Sequence, residues 1–259
     1  MSVRSAPDSK GQKTDRRKEQ ENELVLSYTT MRNLIGFGGM LLPFALMFFT
    51  KEANNVFVEP SISDYYYTKN GDILVVLLSV LGVFLITYTG YNWKEQALTT
   101  LAALCALGVA FSPTGSREEI DPNSVHTSIN FGGHLIHFLF AGVFFIALAI
   151  VTLKYFPRSD NPASIQPDRK KTTKEKRNTV YRICGWIMIG SVAMLLVYFL
   201  LLEFDVFKTD FPVVFVLETI AIEAFGISWL TKGETLLPDG EHYMMRAVRT
   251  VKEKLKGEK

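Results

Sequence analysis

The amino-acid sequence predicts an all-α fold, a polytopic bundle of six transmembrane helices with both termini in the cytoplasm (N-in/C-in). Two observations carry this prediction. Hydrophobic residues make up 48% of the 259 residues, and they are gathered into six apolar runs. The basic residues are gathered in alternate segments between those runs. Such segregation is typical of membrane proteins, in which apolar spans alternate with polar loops.

The apolar runs differ in length. Five of them are long enough to cross a bilayer as a helix. The third holds fifteen residues, which rise about 22 Å as a helix. A membrane span usually needs at least roughly 17 residues. By length alone it could be a span or a re-entrant segment. The six runs lie at 34–50, 72–90, 97–111, 132–153, 179–202 and 212–231.

The distribution of lysine and arginine decides between those alternatives. With six spans, 23 of the 28 basic residues fall on the side of the two tails and four on the other side. The remaining one, Arg182, lies inside the fifth run. Because basic residues collect on the cytoplasmic side of membrane proteins, this split predicts that the third run spans and that both termini are cytoplasmic.

The polar parts of the chain complete the predicted domain organisation. Residues 1–27 are hydrophilic and are expected to form a disordered cytoplasmic tail. Residues 28–234 hold the six spans, with a basic, proline-containing segment at 154–178 that is expected to be a flexible cytoplasmic linker. Residues 235–259 place apolar residues at helical spacing among basic ones. That pattern predicts an amphipathic helix on the anionic inner leaflet, with a solvated charged tail as the alternative.

A polar collar precedes the second apolar run. Residues Ser61–Thr68 read S-I-S-D-Y-Y-Y-T, and Asp72 begins the run that follows. The run carries no charge from Ile73 to Gly90, and as a helix it rises roughly 28 Å, close to the thickness of a bilayer core. The pattern predicts a membrane helix with polar residues at its N-terminal end that could take part in chemistry. The three tyrosines of the collar are most simply interpreted as an interfacial aromatic belt.

Ionisable residues inside the apolar runs are costly to bury and therefore indicate function. In the fourth run, His134 and His137 lie one turn apart on one helix face. Both the fourth and the sixth runs begin on the outer side, so Glu218 is expected at a depth similar to the histidines, and Glu223 near the midplane. This geometry predicts an outward-facing ligand pocket. Its candidate residues are Ser61, Ser63, Asp64, Tyr66, Asp72, His134, His137 and Glu218.

Three chemical interpretations of these residues remain open. His134, His137 and Glu218 could hold zinc with an open position for water, and a collar serine or aspartate could assist hydrolysis of a lipid ester or amide. Alternatively, the buried polar side chains satisfy one another through interhelical hydrogen bonds, which is the interpretation we favour. Glu223 is compatible with a third function, ion- or proton-coupled transport.

Other classes of function find no support in the sequence. It contains no phosphate-cradling loop, nucleophile elbow or nucleic-acid-binding surface. Cys105 and Cys184 lie inside apolar runs without CxxC spacing, so neither a disulfide framework nor a thiol metal site is indicated. The leading prediction is a non-enzymatic membrane protein that binds a lipid or small amphiphile in the pocket, or that serves as a scaffold for a protein partner.

Short motifs in five parts of the chain carry a family resemblance. They are S-I-S-x-Y-Y-x-T from Ser61, G-V-F-L from Gly82 with Y-x-G-Y from Tyr88, G-V-A-x-x-P-T from Gly108, Y-R-x-C-G from Tyr181, and Glu218 followed by F-G-x-S-W-L-x-K-G-E from Phe225. Together they resemble a bacterial group of six-helix integral membrane proteins of unknown function, distantly similar to the DRAM and FGF-receptor-activating-protein type. The resemblance implies the fold, the topology and a place in the bacterial inner membrane, but no catalytic residues. That group often has a histidine where this chain has Tyr67, whereas Asp72 is kept.

Overall fold

The structure is a computed structural model, and it describes most of the predicted membrane domain. For residue 134 and for residues 167–172 the description covers the backbone alone. The predicted N-terminal tail, residues 1–27, and residues 239–259 of the predicted C-terminal tail lie outside the described residues. The described residues are 28–49, 58–68, 71–90, 92–112, 114, 134–158, 167–204, 209 and 211–238.

The described residues form six α-helices, and they contain no strand. A 3₁₀ turn over Ser63–Tyr67 precedes the second helix, and a π turn over Val151–Tyr155 extends the fourth. The predicted all-α fold class is therefore confirmed for this part of the chain. The helices are α1 Tyr28–Phe49, α2 Asp72–Thr87, α3 Trp93–Phe111, α4 His134–Ile150, α5 Pro167–Glu203 and α6 Val213–Lys232.

Four of these helices are long and apolar enough to cross a membrane: α1, α4 with its π turn, α5 and α6. Helix α2 is equally apolar but shorter, with 16 residues. Helix α3 has 19 residues, and its first turn contains Lys94 and Glu95. The lengths and compositions of these helices are those of a helical membrane protein.

The bounds of α2 and α3 differ from those of the second and third apolar runs. Helix α2 ends at Thr87 rather than at residue 90. Helix α3 begins at Trp93 rather than at residue 97, because the Asn92 side chain accepts a hydrogen bond from the Glu95 backbone N–H at 3.0 Å. Asparagine at this position caps a helix by satisfying a backbone donor of the first turn. The third helix is thus longer than its apolar run.

The segment predicted to be a flexible linker is helical at both of its ends. Helix α5 begins at Pro167, not near residue 179, so residues 167–178 are helical. Proline is well tolerated in the first turn of a helix, where its missing N–H would have no intrahelical acceptor. The π turn at Val151–Tyr155 lengthens α4 into the other end of the same segment. Of the prolines in this segment, Pro157 thus follows the end of the π turn and Pro167 begins α5.

The helices are arranged as a ring in chain order. Each of α2 to α5 contacts the next helix in the chain, and α1 contacts both α6 and the C-terminal end of α2. This closure is tight at Gly226, where an added Cβ would lie 2.8 Å from the Gly36 carbonyl oxygen. Small residues at such a crossing let two membrane helices approach backbone to backbone. The ring leaves an interior that the collar can cover from one end.

The end of the bundle opposite the collar buries two charged side chains. Glu95 is fully buried and accepts a hydrogen bond from the Tyr88 hydroxyl at 2.9 Å. Lys232 is also buried, and its Nζ donates to the Phe156 carbonyl oxygen at 3.1 Å. The Trp229 ring packs against the rings of Tyr88 and Phe156. A charged side chain in surroundings of low polarity is costly to bury unless it has hydrogen-bond partners, and both of these side chains have them.

Candidate functional site at the collar

The collar, residues Ser61–Thr68, folds as a compact capped turn rather than as a surface loop. The Ser61 Oγ accepts a hydrogen bond from the Asp64 N–H at 3.0 Å, and the Thr68 Oγ1 donates to the Tyr65 carbonyl oxygen at 2.7 Å. Serine and threonine favour such local side-chain-to-backbone bonds at turns. Gly71 then brings the start of α2 directly against the Tyr66 carbonyl oxygen. The collar is therefore held close to the N-terminal end of α2.

Three contacts attach the collar to α6. The Phe215 N–H, in the first turn of α6, donates to the carbonyl oxygen of Pro60, the residue before the collar, at 3.0 Å. The Ile62 N–H donates to the Glu218 Oε2 at 2.7 Å. The Tyr65 and Phe215 rings pack with their centroids 6.1 Å apart. Glu218 thus binds the collar backbone, which explains why a carboxylate is placed on this apolar helix.

A chain of hydrogen bonds attaches the collar to α4 and to the end of α3. His137 lies with its Nε2 at 2.7 Å from the Ser63 Oγ and its Nδ1 at 2.5 Å from the Ser112 carbonyl oxygen. Since a carbonyl oxygen can only accept, we assign the proton to Nδ1. Nε2 of the neutral ring is then an acceptor, and the Ser63 hydroxyl donates to it. Ser63 and His137 are both buried, with 7% and 3% of their surface exposed.

A cavity of about 50 Å³ lies inside the ring beneath the collar. Its polar groups are Ser63 and Glu218, the two side chains that attach the collar to α4 and α6. The remainder of the wall is apolar and comes from every helix except α5. These wall residues are Leu42, Ile62, Leu74, Leu78, Ala106, Val109, Ala141, Phe144, Phe145 and Ile222.

The structure brings together some of the predicted pocket residues and separates others. Ser63 and Glu218 line the cavity, and His137 contacts Ser63 directly. Ser61 instead caps the turn, and Asp64 is half-buried with its backbone N–H bonded to Ser61. Asp72, at the first position of α2, is exposed. Fewer residues thus belong to the pocket than the sequence predicted.

The tyrosines of the collar do not form the interfacial belt that the sequence predicted. Tyr65 and Tyr66 are buried, with 1% and 4% of their surface exposed. Burial raises the pKa of the Tyr65 phenol, whose oxygen accepts a hydrogen bond from the Glu59 N–H at 3.4 Å. Tyr66 packs its ring on Tyr67, with centroids 5.5 Å apart, and does not line the cavity. These rings fill the space between the collar and the bundle.

The zinc hypothesis gains no support from the described residues. No group of three His, Cys, Asp or Glu side chains among them could hold a metal ion. The side chain of His134 lies outside the described residues. Glu218 bonds to a backbone N–H, and His137 bonds to Ser63 and to a backbone carbonyl. A direct contact between Glu218 and either histidine stays a prediction.

Glu223 lies apart from this site. It is half-buried on α6, and it is not in the wall of the cavity. Helical periodicity places it on the same face as Thr219, one turn earlier. Since Glu223 lies outside the cavity wall, the polar groups of the cavity do not extend a transport path from it. The transport hypothesis for Glu223 stays a prediction.

One member of the site could not have been found from residue types. The Ser112 carbonyl oxygen, at the C-terminal end of α3, orients the His137 ring. The only available signal was the end of the third apolar run near residue 111, because the last carbonyl groups of a helix have no intrahelical donor and must be satisfied from elsewhere.

Comparison of the chain with protein-family models, with curated proteins and with solved structures gives no match.

Proposed function

We propose that this chain is a six-span protein of the bacterial inner membrane, with both termini cytoplasmic, that binds a small amphiphile beneath the collar. The relationship to the DRAM and FGF-receptor-activating-protein type is part of the same proposal. The proposed binding function rests on the cavity. Its wall is apolar except for Ser63 and Glu218, which lie at the collar. This combination suits a ligand with one polar and one apolar end.

The proposal of six spans rests on the distribution of charge together with the helix lengths. If α2 is a span, the 23-to-4 split of basic residues supports a span for α3 as well, because both tails then lie on the basic side. Helix α3 rises about 28 Å over its 19 residues. Helix α2 rises about 24 Å over its 16 residues, a shortfall that local bilayer thinning accommodates at modest cost. In this arrangement the collar faces the outside.

Cysteine labelling tests this topology. The native Cys105 and Cys184 are buried, and both are replaced by alanine so that single cysteines can be introduced. Cysteines at Asn123 and Asp205, in segments that the structure does not describe, are expected to react with an impermeant maleimide from outside intact cells. A cysteine at Ser159 is expected to react only after permeabilisation. Labelling of Ser159 in intact cells would contradict the topology.

The size of the cavity limits the ligand. Its 50 Å³ provides room for roughly three to five water-sized groups. A complete long acyl chain does not fit within the closed bundle. The proposed ligand therefore inserts a short apolar end or the last few carbons of a chain, while its polar end bonds to the collar.

Binding is tested with 1-O-hexylglycerol, an ether that cannot be hydrolysed as an ester, added to protein in lipid nanodiscs. It is expected to raise the thermal unfolding temperature of the wild type, since a ligand at about 100 times its Kd stabilises by about 2.7 kcal/mol. Ala141→Leu fills the cavity and is expected to reduce this shift at least about threefold.

The matched control is Ala193→Leu, which adds the same atoms to a groove between α5 and α6 outside the cavity. Its ligand-induced shift is expected to equal that of the wild type. Equal shifts in both leucine variants would contradict binding in the cavity.

A further inference from the structure

We propose that Ser63 is a nucleophile that accepts the acyl group of a carboxylic ester, with His137 as its general base. This inference rests on the proposed function, since the ester is the amphiphile whose apolar end occupies the cavity. It assigns a covalent activity to a site that otherwise only binds.

The hydrogen-bond geometry supplies the first argument. A serine becomes nucleophilic when its hydroxyl donates to a base within about 2.6–3.2 Å and a third group orients that base. Ser63 Oγ lies 2.7 Å from His137 Nε2, and the Ser112 carbonyl oxygen accepts from Nδ1–H. The carbonyl oxygen thus takes the orienting role that a carboxylate has in a Ser-His-Asp triad. The three groups come from the collar, α4 and the end of α3.

The surroundings of Ser63 supply the second argument. Ser63 is in the wall of the cavity, so an ester carbonyl at its Oγ would place the attached acyl chain against apolar side chains. The serine and the histidine are both buried, and a hydrogen bond shielded from bulk water is electrostatically stronger. A purely structural bond between the collar and α4 would not require the serine to face an internal space.

The reaction conserves atoms and protons. The Ser63 Oγ attacks the ester carbonyl carbon while its proton passes to His137 Nε2. The bond from that carbon to the alcohol oxygen then breaks, and the leaving alcohol takes the proton from Nε2, which leaves an acyl-Ser63. Water, as the second reactant, attacks the acyl carbon with its proton passing to Nε2. The acid is released, and the Ser63 Oγ recovers its proton.

The test uses a hexyl fluorophosphonate on the full chain in nanodiscs, with the adduct located by peptide mass mapping. Attack by the Ser63 Oγ on phosphorus expels fluoride and leaves a stable phosphonyl serine. The wild type is expected to be labelled at Ser63, Ser63→Ala to lose the adduct, and Ser79→Ala, on α2, to keep it. His137→Gln is expected to slow labelling at least about 100-fold, the usual minimum contribution of a general base.

A second variant covers the case in which His137→Gln does not fold. In Ser63→Cys the thiol takes the place of the hydroxyl beside His137, and its alkylation rate is expected to stay high well below pH 8.5, the ordinary thiol pKa. An alkylation rate that follows the ordinary thiol pKa would overturn the role of His137 as the base.

The outcomes separate this inference from the proposed function. A wild type that 1-O-hexylglycerol stabilises but that gains no phosphonyl group on Ser63 would overturn the nucleophile alone. Labelling of His137→Gln at the wild-type rate would overturn the base. Absence of both stabilisation and labelling would overturn the inference together with the proposed function.

Discussion

Gly71→Ala is expected to give a large loss of stability, although it adds only one methyl group. A Cβ at this position would overlap the Tyr66 carbonyl oxygen, a backbone atom of the capped turn that cannot rotate away. The backbone φ of Gly71 is −58°, so the conformation suits any residue and only the space is missing. The collar must therefore separate from the start of α2.

Overpacking of this kind costs about 1–3 kcal/mol, which corresponds to a fall of roughly 2–12 °C in the thermal unfolding temperature of a protein of this size. Thermal unfolding of the purified protein measures the effect. Gly38→Ala, on α1, is the matched control because no atom lies within 4 Å of its added Cβ. An equal change in both variants would show that the collar tolerates displacement from α2.

Removal of the Glu218 carboxylate is the second substitution for which a large effect is expected. Glu218→Ala deletes the acceptor of the Ile62 N–H, whose bond is 2.7 Å long, and leaves that donor beneath the collar without a partner. A buried donor without an acceptor costs about 1–3 kcal/mol, and the enlarged cavity adds to this cost. The collar is expected to loosen from α6 while α6 itself stays helical.

Limited proteolysis with trypsin reports this loosening, because Lys51 and Lys69 lie on either side of the collar in the sequence. Cleavage at Lys69 is expected to accelerate at least about tenfold in Glu218→Ala, following a loss of about 1.4 kcal/mol or more in collar attachment. Glu218→Gln keeps a side-chain oxygen acceptor and is expected to change the rate by less than about threefold. Equal rates in both variants would mean that the bond to Ile62 does not hold the collar.

Much of the site was predictable because its members share a membrane depth. His137 and Glu218 stand out as ionisable residues in apolar runs, and Ser63 stands out in the polar stretch before the second run. The order of the helices along the chain is enough to place all three at the same end of the bundle. Their partners were not predictable, because depth restricts position only along the membrane normal.

The collar shows why the remainder of the site could not be predicted. Tyrosines next to an apolar run usually lie at the membrane interface, yet Tyr65 and Tyr66 are buried. They turn inward because the 3₁₀ turn and Gly71 bring the collar onto the N-terminal end of α2. Composition alone cannot distinguish tyrosines that lie at the membrane interface from tyrosines that are buried in the bundle, since both lie beside apolar residues in the sequence.

The sequence by itself determined the helical membrane character of the chain and the residues at its polar mouth, because hydropathy and charge are summed over neighbouring residues. Only the tertiary structure decided which groups bond. Ser63 meets His137 across 74 positions of sequence, and Ile62 meets Glu218 across 156. Such pairs depend on helix rotation and on how the collar folds. Hydrogen bonds are sensitive to tenths of an ångström, whereas a hydropathy pattern fixes a helix only to within a residue or two at each end.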